Sequence, residues 1–96
     1  MFVVLLRFSN NKGMAGELLM EGHNQWIKKG FDEGVFLLVG SLQPNLGGSI
    51  IANGTSLQEL QARVADDPFV QKGVVEAEIL EIDAKTADER LSFLVG

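Results

Sequence analysis

The sequence contains no cysteine and only one histidine, His23. The absence of cysteine excludes disulfides, zinc–thiolate sites, iron–sulfur clusters and thiol nucleophiles. One histidine is too few for a metal site that needs two histidines on one helix face. We therefore expect neither a metal nor a cofactor, and acid–base chemistry near neutral pH would rest on His23.

Positive charge is also scarce, because eight Lys and Arg stand against thirteen Asp and Glu and give a formal net charge of -5. The basic residues are scattered and form no patch for nucleic acid or anionic lipid. No stretch approaches the roughly 18 apolar residues of a membrane span. The N-terminal run FVVLL is interrupted by Arg7 and lacks a basic leader, which indicates a strand and not a signal peptide. We expect a soluble cytoplasmic protein that binds neither nucleic acid nor membranes.

The hydrophobic pattern predicts one domain over residues 1–96, in the order strand, helix, strand, strand, helix, strand. This order is typical of the ferredoxin-like βαββαβ fold, a four-stranded antiparallel sheet with both helices on one face. The glutamates interleaved in the last strand indicate a partly solvent-exposed or edge position. The predicted strands cover residues 1–8, 35–40, 49–53 and 73–82, and the first helix covers residues 14–33.

Local signals predict where the helices and turns lie. Gly34 ends the first helix as a left-handed cap. Ser56 and Glu59 form a Ser-x-x-Glu capping box at the start of the second helix, and Pro68 ends that helix. The polar segment 41–48 is predicted to be a hairpin loop. The expected inner face of the second helix consists of Leu57, Leu60 and Val64.

The first strand is apolar on both alternating faces from Phe2 to Leu6. Because the two helices cover only one face of the sheet, the other face also needs a cover. In a short chain the simplest cover is a second copy, and we expect a homodimer with the sheet faces packed together. The competing explanation is that the C-terminal extension, residues 83–96, folds back over the sheet. That extension has a second capping-box pattern at Thr86 and Glu89, and its pattern fits either strand or helix.

His23 lies in the segment ELLMEGHNQWIKK, at the centre of the apolar stripe of the first helix. An imidazole on such a stripe needs partners for two polar nitrogens. A carboxylate that accepts from one nitrogen would fix the tautomer and leave the other nitrogen free. At 100° per residue, the stripe positions within about 60° of His23 are Gly16, Leu19, Met20, Trp26, Ile27 and Gly30.

Asp67 is the natural partner for His23, because it stands where the second helix ends, and Asp66 is its rival by adjacency. Two alternatives stay open at this point. His23 can be a core histidine bound to a backbone carbonyl, and Asp67 can serve only the turn before Pro68. Arg7, the one charge on the first strand, is a candidate to bind a substrate carboxylate; the alternative is a strand-end arginine that reaches solvent.

Several segments together resemble the YciI-like family, also called YCII-related proteins, over about residues 1–82. The most specific is ADDPFVQKGVVEAEI at residues 65–79. The others are His23 followed by Trp26, the segment EGVFLLVGSL, and the glycine pair before the third strand. The resemblance implies a ferredoxin-like domain of the dimeric α+β barrel group, with a His–Asp active site. Carried over to this chain, that pair falls on His23 and Asp67.

The family usually has Gly-Pro where this chain has Gly40–Ser41. The change places a hydroxyl near the expected cleft, and Ser41 is therefore a second substrate-binding candidate beside Arg7. Relatives with a demonstrated activity eliminate chloride from a chlorinated aromatic compound, and muconolactone isomerase, a proton-transfer enzyme, has a similar fold.

The resemblance and the residues together predict general acid–base proton transfer by His23 and Asp67, in an isomerisation, elimination or lyase reaction on a small molecule whose identity the sequence does not give. One alternative is a non-catalytic dimer that binds a small ligand or has a regulatory role. A weaker one is haem binding through His23, as in other proteins of the dimeric α+β barrel group.

Overall fold

The computed structural model describes residues 1–14 and 16–96. None of the helices in these residues is both long enough and apolar enough to cross a membrane. In chain order the elements are β1 (Phe2–Phe8), a 3₁₀ segment (Lys12–Met14), α1 (Glu17–Asp32), β2 (Phe36–Leu42), β3 (Gly47–Ala52), α2 (Leu57–Ala65), α3 (Pro68–Gln71), β4 (Val75–Glu81) and a second 3₁₀ segment (Glu89–Leu94).

The strands form one four-stranded antiparallel sheet in the order β2-β3-β1-β4. β1 is central, so that Val4 lies between Ile50 of β3 and Ile79 of β4. β4 lies at an edge, as its interleaved glutamates predicted, because charged side chains on an edge strand can reach water. The ferredoxin-like βαββαβ fold expected from the sequence is confirmed, with the short helix α3 added before β4.

The helices cover one face of this sheet. Along β1, the side chains of Phe2, Val4 and Leu6 point to the helices and are buried in one core with Trp26 of α1 and Leu60 of α2. Burial of a side chain of this size contributes about 1.5–3 kcal/mol. The same alternation directs the odd-numbered residues of β1 to the opposite side, which we call the outer face.

Close packing fixes α1 against its neighbours. A Cβ on Gly30 would lie 2.1 Å from the ring of Phe36, so only glycine allows this approach of helix to strand. Trp26 meets the same ring edge-on at 5.1 Å, and its Nε1 donates to the carbonyl of Arg63 at 2.8 Å. The middle of α1 is therefore held against both β2 and α2.

The first helix ends as predicted but begins later. Gly34 has a φ of 74°, which confirms the left-handed cap. The expected start at residue 14 is wrong, because α1 begins at Glu17, after Gly16 in extended conformation. Lys12–Met14 form a separate 3₁₀ turn. The predicted helix also covers Ala15, which lies outside the described residues.

The cap of α2 is confirmed in its main feature, since the Ser56 hydroxyl accepts from the amide of Glu59 at 3.1 Å. The Glu59 carboxylate does not complete the box as predicted and accepts instead from the Thr55 hydroxyl at 3.3 Å. Leu57, at the first position of the helix, is 38% exposed and does not belong to the inner face. The other two predicted inner-face residues are buried, Leu60 and Val64.

Pro68 ends α2 and also begins the next helix. The Asp67 side chain caps α3, and Pro68 takes the first helical position, where its missing N–H has no intrahelical partner to lose. The sequence prediction has no helix here, because a proline after a helical run is an end signal. The structure shows both functions of the proline at one position.

The hairpin loop is shorter than the predicted segment 41–48. The ladder continues through the pairs Ser41 with Gly48 and Leu42 with Gly47, which leaves a turn over residues 43–46. The amide of Leu46 closes this turn by donating to the carbonyl of Leu42 at 2.9 Å. Ser41 is therefore a strand residue, held in a fixed orientation.

In the C-terminal extension, the predicted cap at Thr86 is wrong. The 3₁₀ segment Glu89–Leu94 is capped by Asp88, whose side chain accepts from the amide of Arg90 at 2.9 Å. Asp is at least as good a cap as Thr, and here it stands directly before the helical residues.

The outer face of the sheet is uncovered in the monomer. The register aligns one apolar residue from each strand in what we call the outer row, in which Leu38 and Leu80 are 52% and 43% exposed. The extension therefore does not fold back over this face, contrary to the competing explanation. In order across the sheet, the outer row is Leu38, Ile51, Val3 and Leu80.

Candidate functional site

His23 and Asp67 meet across the junction of three helices. The Nδ1 atom of His23, in the middle of α1, lies 2.8 Å from Oδ1 of Asp67, between α2 and α3. The two side chains are 14% and 0% exposed. Among the described residues, Asp67 is the only charged residue that is fully buried. Asp66, the rival partner, is exposed at the end of α2.

Asp67 serves two partners with one oxygen. Its Oδ1 accepts from His23 Nδ1 and also, at 3.1 Å, from the backbone amide of Phe69 at the start of α3. Its Oδ2 is buried without a hydrogen-bond partner among the described residues. The local turn function and the pairing with His23, which the sequence presented as alternatives, are therefore present together.

A glycine beside His23 allows this meeting. A Cβ on Gly22 would lie 3.1 Å from Cγ of Pro68, closer than nearly all real contacts of that kind. The first residue of α3 thus packs directly on the backbone of α1. This close approach brings Asp67 within hydrogen-bond distance of His23.

The imidazole of His23 is positioned by aromatic stacking on its face as well as by the hydrogen bond to Asp67 at its edge. It stacks on the ring of Phe69 with a centroid distance of 4.1 Å and an interplanar angle of 10°. Trp26, one turn further along α1, lies at 5.8 Å and 25°. Because Phe69 also donates its amide to Asp67, the stack and the hydrogen bond position the ring jointly.

The geometry defines the chemistry open to each imidazole nitrogen. Because a carboxylate only accepts hydrogen bonds, Nδ1 carries the proton in the contact with Asp67. Nε2 makes no hydrogen bond to a described residue and is not fully buried. A neutral His23 with this tautomer presents a lone pair at Nε2, which can take up a proton and later return it.

His23 lines a cavity of about 420 Å³ between the helices and the sheet, which we call the His23 cavity. Its volume falls in the range of small-molecule sites, about 300–1,000 Å³. The walls are mostly apolar, and none of the described lining residues is Lys or Arg. Besides His23, the lining includes Leu6, Phe8, Asn24, Gly40, Ser41, Gly48 and Phe69.

Of the two substrate-binding candidates, the structure brings only Ser41 to His23. Ser41 pairs with Gly48 on the helix-facing side of the sheet and lines the His23 cavity. Arg7 lies on the outer face, where its guanidinium forms an exposed ion pair with Glu78 at 2.7 Å. Strand alternation separates Arg7 from the cavity, because Leu6 occupies the inward position beside it.

Sequence reasoning missed Phe69 and Asn24. Phe69 is part of the Asp-Pro-Phe stretch, in which only the first two residues gave a structural signal. Asn24 lies outside the apolar stripe of the first helix and is exposed, and it also lines the His23 cavity. Its position next to His23 in the sequence could have indicated this, but a helical wheel that considers only apolar residues leaves Asn24 out.

Two exposed carboxyl groups away from the cavity have shifted pKa values. A hydrogen bond from Arg63 lowers the pKa of Glu33, and hydrogen bonds from the side chain and backbone of Arg90 lower the pKa of Asp88. The Glu33–Arg63 pair ties the end of α1 to α2. In the described part of the chain, no group of three or more His, Asp and Glu residues is placed to hold a metal ion.

A βαββαβ domain with this strand order belongs to the ferredoxin-like class of α+β folds. Within that class, residues 1–83 match the model of the YCII-related domain, and the chain belongs to this family. The resemblance seen in the sequence over about residues 1–82 is thereby confirmed. No curated protein matches the chain significantly in sequence.

One solved structure shares the fold over most of both chains. It is 5-chloro-2-hydroxyhydroquinone dehydrochlorinase (TftG) from Burkholderia phenoliruptrix AC1100, in complex with 2,5-dihydroxybenzoquinone. The TM-score is 0.66 at 14% sequence identity, and the match covers 85% of this chain and 93% of the other. At this identity the similarity establishes the fold.

Proposed function

We propose that this protein is a small-molecule enzyme that transfers a proton with His23 and Asp67, in a reaction of the lyase or isomerase type. The observation that supports it best is the buried carboxylate of Asp67 on Nδ1 of His23, in a ring whose Nε2 is left unpaired. A structural histidine has no need of a fully buried carboxylate, which is costly to desolvate. The same pair orients the ring for acid–base chemistry.

In the proposed elimination, Nε2 of His23 removes a proton from the bound compound. The electron pair of the broken bond forms a new π bond, and the leaving group departs with its own bonding pair. Asp67 stabilises the imidazolium through Nδ1, and the proton on Nε2 then passes to solvent. In an isomerisation the imidazolium returns the proton to another atom of the same compound. Such catalysis contributes about 10²- to 10⁴-fold in rate.

Two polar side chains in the His23 cavity are available to bind oxygen atoms of the substrate. Ser41 offers a hydroxyl from the sheet side, and Asn24 offers an amide from α1, one residue after His23. We assign both to substrate orientation. Arg7 has no place in this scheme, because it lies on the other side of the sheet.

The fold neighbour supports the reaction class. Its name describes loss of hydrogen chloride from a chlorinated hydroxyhydroquinone, and its ligand is a dihydroxybenzoquinone. An elimination of this kind requires a base, which is the role proposed for His23. An oxygenated aromatic or quinoid compound is accordingly the first substrate to test.

The proposed enzyme is a homodimer in which the outer faces of two sheets pack together. The outer row crosses all four strands, and Leu38 and Leu80 in it are about half exposed. A contiguous apolar patch on a monomer marks an interaction surface. A second copy presents the same patch and is its simplest partner.

Turnover tests the proposal directly. Chloride release from 5-chloro-2-hydroxyhydroquinone is measured for the wild type, His23→Gln, Asp67→Asn and the control Asp66→Asn. We expect a loss of about 10²-fold or more in His23→Gln and no more than a small change in the control. Turnover retained by His23→Gln would contradict the proposal. Equal binding by wild type and His23→Gln, with turnover by neither, would instead support the non-catalytic ligand-binding dimer.

A further inference from the structure

The adjacent glycines Gly47 and Gly48 at the start of β3 differ in how strongly the backbone constrains them. Gly47 has a φ of +135°, and a Cβ there would lie 1.9 Å from the carbonyl oxygen of Leu6. Gly48 has no such constraint, because its nearest Cβ contact would be the carbonyl oxygen of Gly40 at an ordinary 3.6 Å. The backbone demands glycine at the first position and tolerates a side chain at the second.

The register shows what a side chain on Gly48 would meet. Gly48 pairs with Ser41 on β2 and with Leu6 on β1, and all three line the His23 cavity. Paired residues direct their side chains to the same face of a sheet, which here is the helix-facing side. A Cβ on Gly48 would therefore project from the floor of the cavity toward α1, which carries His23.

We propose that Gly48 determines the substrate specificity of this enzyme, because the missing side chain keeps the floor of the His23 cavity open for a flat ligand. The proposal rests on the proposed function, in which the compound binds beneath His23. Glycine within a strand often marks a place where a ligand approaches the backbone closely. Here the ligand lies against β3, between the side chains of Ser41 and Leu6.

The lining of the cavity defines the chemistry of this ligand. Apolar side chains dominate, including the aromatic rings of Phe8 and Phe69, and no Lys or Arg among the described lining residues offers a charge partner. A carboxylate or phosphate would lose its hydration there with no Lys or Arg to compensate its charge. The cavity therefore selects a flat, uncharged compound over an anionic one of the same size.

The experiment adds side chains at this position and compares them with a matched change elsewhere. Gly48→Ala and Gly48→Val extend into the cavity. The control is Gly40→Ala, because the backbone of Gly40 also lines the His23 cavity but an added Cβ there would meet nothing within 4 Å. Gly40 pairs with Ser49, one position from the pair of Ser41 with Gly48, so its Cβ points to the outer face. Thermal unfolding and sedimentation verify that each variant keeps the fold and the oligomeric state of the wild type.

Binding of hydroquinone, a flat uncharged probe, is followed by NMR on labelled protein, with benzoate as the anionic probe. We expect the dissociation constant for hydroquinone to rise about tenfold in Gly48→Ala and about 100-fold in Gly48→Val, and to stay within about twofold in Gly40→Ala. We expect benzoate to bind more weakly than hydroquinone to the wild type.

Three results would overturn the inference. These are wild-type affinity in Gly48→Val, unfolding of Gly48→Ala, and failure of the wild type to bind hydroquinone at millimolar concentration. None of them depends on turnover. If His23→Gln retained turnover while Gly48→Val lost hydroquinone binding, the proton-transfer proposal would fail and the specificity assignment would stand.

Discussion

Oδ1 of Asp67 accepts hydrogen bonds from two directions, from Nδ1 of His23 at 2.8 Å and from the amide of Phe69 at 3.1 Å. One oxygen thus holds the start of α3 and the orientation of the imidazole. His23 and Asp67 are 44 residues apart in sequence, and the packing of α3 on Gly22 brings them together.

Asp67→Asn changes the tautomer of His23 and preserves the fold. Asparagine is as good a helix cap as aspartate, so α3 keeps its start. Its neutral amide can donate to Nδ1 as well as accept from it, and the preference for a proton on Nδ1 weakens. Long-range ¹⁵N NMR of the imidazole measures the tautomer ratio at alkaline pH. Asp66→Asn is the control, and an unchanged ratio in Asp67→Asn would refute the orienting role.

Asp67→Ala destabilises the protein because it leaves two donors, His23 Nδ1 and the Phe69 amide, without an acceptor in a buried site. Unpaired buried donors cost about 1–3 kcal/mol each, so for two donors we expect a loss of about 2–6 kcal/mol of unfolding free energy. Urea denaturation measures it. Asp66→Ala, at the adjacent exposed position, should change stability by less than about 0.5 kcal/mol; equal losses in both variants would contradict the prediction.

Phe69→Leu tests the stacked ring. Leucine keeps an apolar side chain at this position but removes the parallel contact with His23. Aromatic pairs contribute about 0.5–1.5 kcal/mol beyond the area they bury, and we expect a stability loss of that size. Order parameters of the His23 ring should fall. In the proposed reaction, kcat should drop more than KM changes, and a ring as rigid as in the wild type would show that Asp67 alone positions it.

Glu33→Gln should destabilise the protein at neutral pH and have no effect in acid. A hydrogen bond from Arg63 lowers the pKa of Glu33 below its ordinary value of 4.5. A carboxyl group with a lowered folded-state pKa stabilises the fold above its unfolded-state pKa, and this contribution disappears as the pH falls through the folded-state value. Urea midpoints at pH 7 and pH 3 measure the difference. Glu21→Gln on the surface of α1 is the control, and a gap that persists at pH 3 would contradict this cause.

Leu38→Glu should produce a monomer. Leu38 belongs to the outer row and is 52% exposed, so the charge costs little in the isolated chain but would be buried in the proposed dimer. Leu18→Glu makes the same change at a position that is 85% exposed on α1 and should leave the dimer intact. Sedimentation velocity distinguishes the two masses, and a wild type that sediments as a monomer would exclude the dimer.

The strand and helix order could be predicted because each element has a strong period, and the His–Asp pair could be proposed because His23 stands on the apolar stripe and Asp67 precedes a proline. Helix α3 could not be predicted from the sequence, because a proline such as Pro68 gives the same signal whether it ends a helix or begins one. The cavity floor at Gly48 depends on the register of three strands, which no local pattern contains.

Arg7 failed as a candidate for the cavity for a simpler reason. As the one charge on its strand it is a candidate by residue type, but the burial of Phe2, Val4 and Leu6 places every odd position of β1 on the outer face. Because successive side chains of a strand point to opposite faces, Arg7 must point away from the cavity once Leu6 is known to point toward it.

The double use of the Asp67 oxygen affects how activity should be inferred across related sequences. A descendant that had lost its chemistry would still need an aspartate or asparagine here to begin α3, so selection for folding alone retains the residue. His23 caps no helix; it contributes the stack on Phe69 and the hydrogen bond to Asp67, and in the proposed function it also moves the proton. Under the proposed function, loss of the histidine, and not of the aspartate, would therefore mark a relative that no longer transfers a proton.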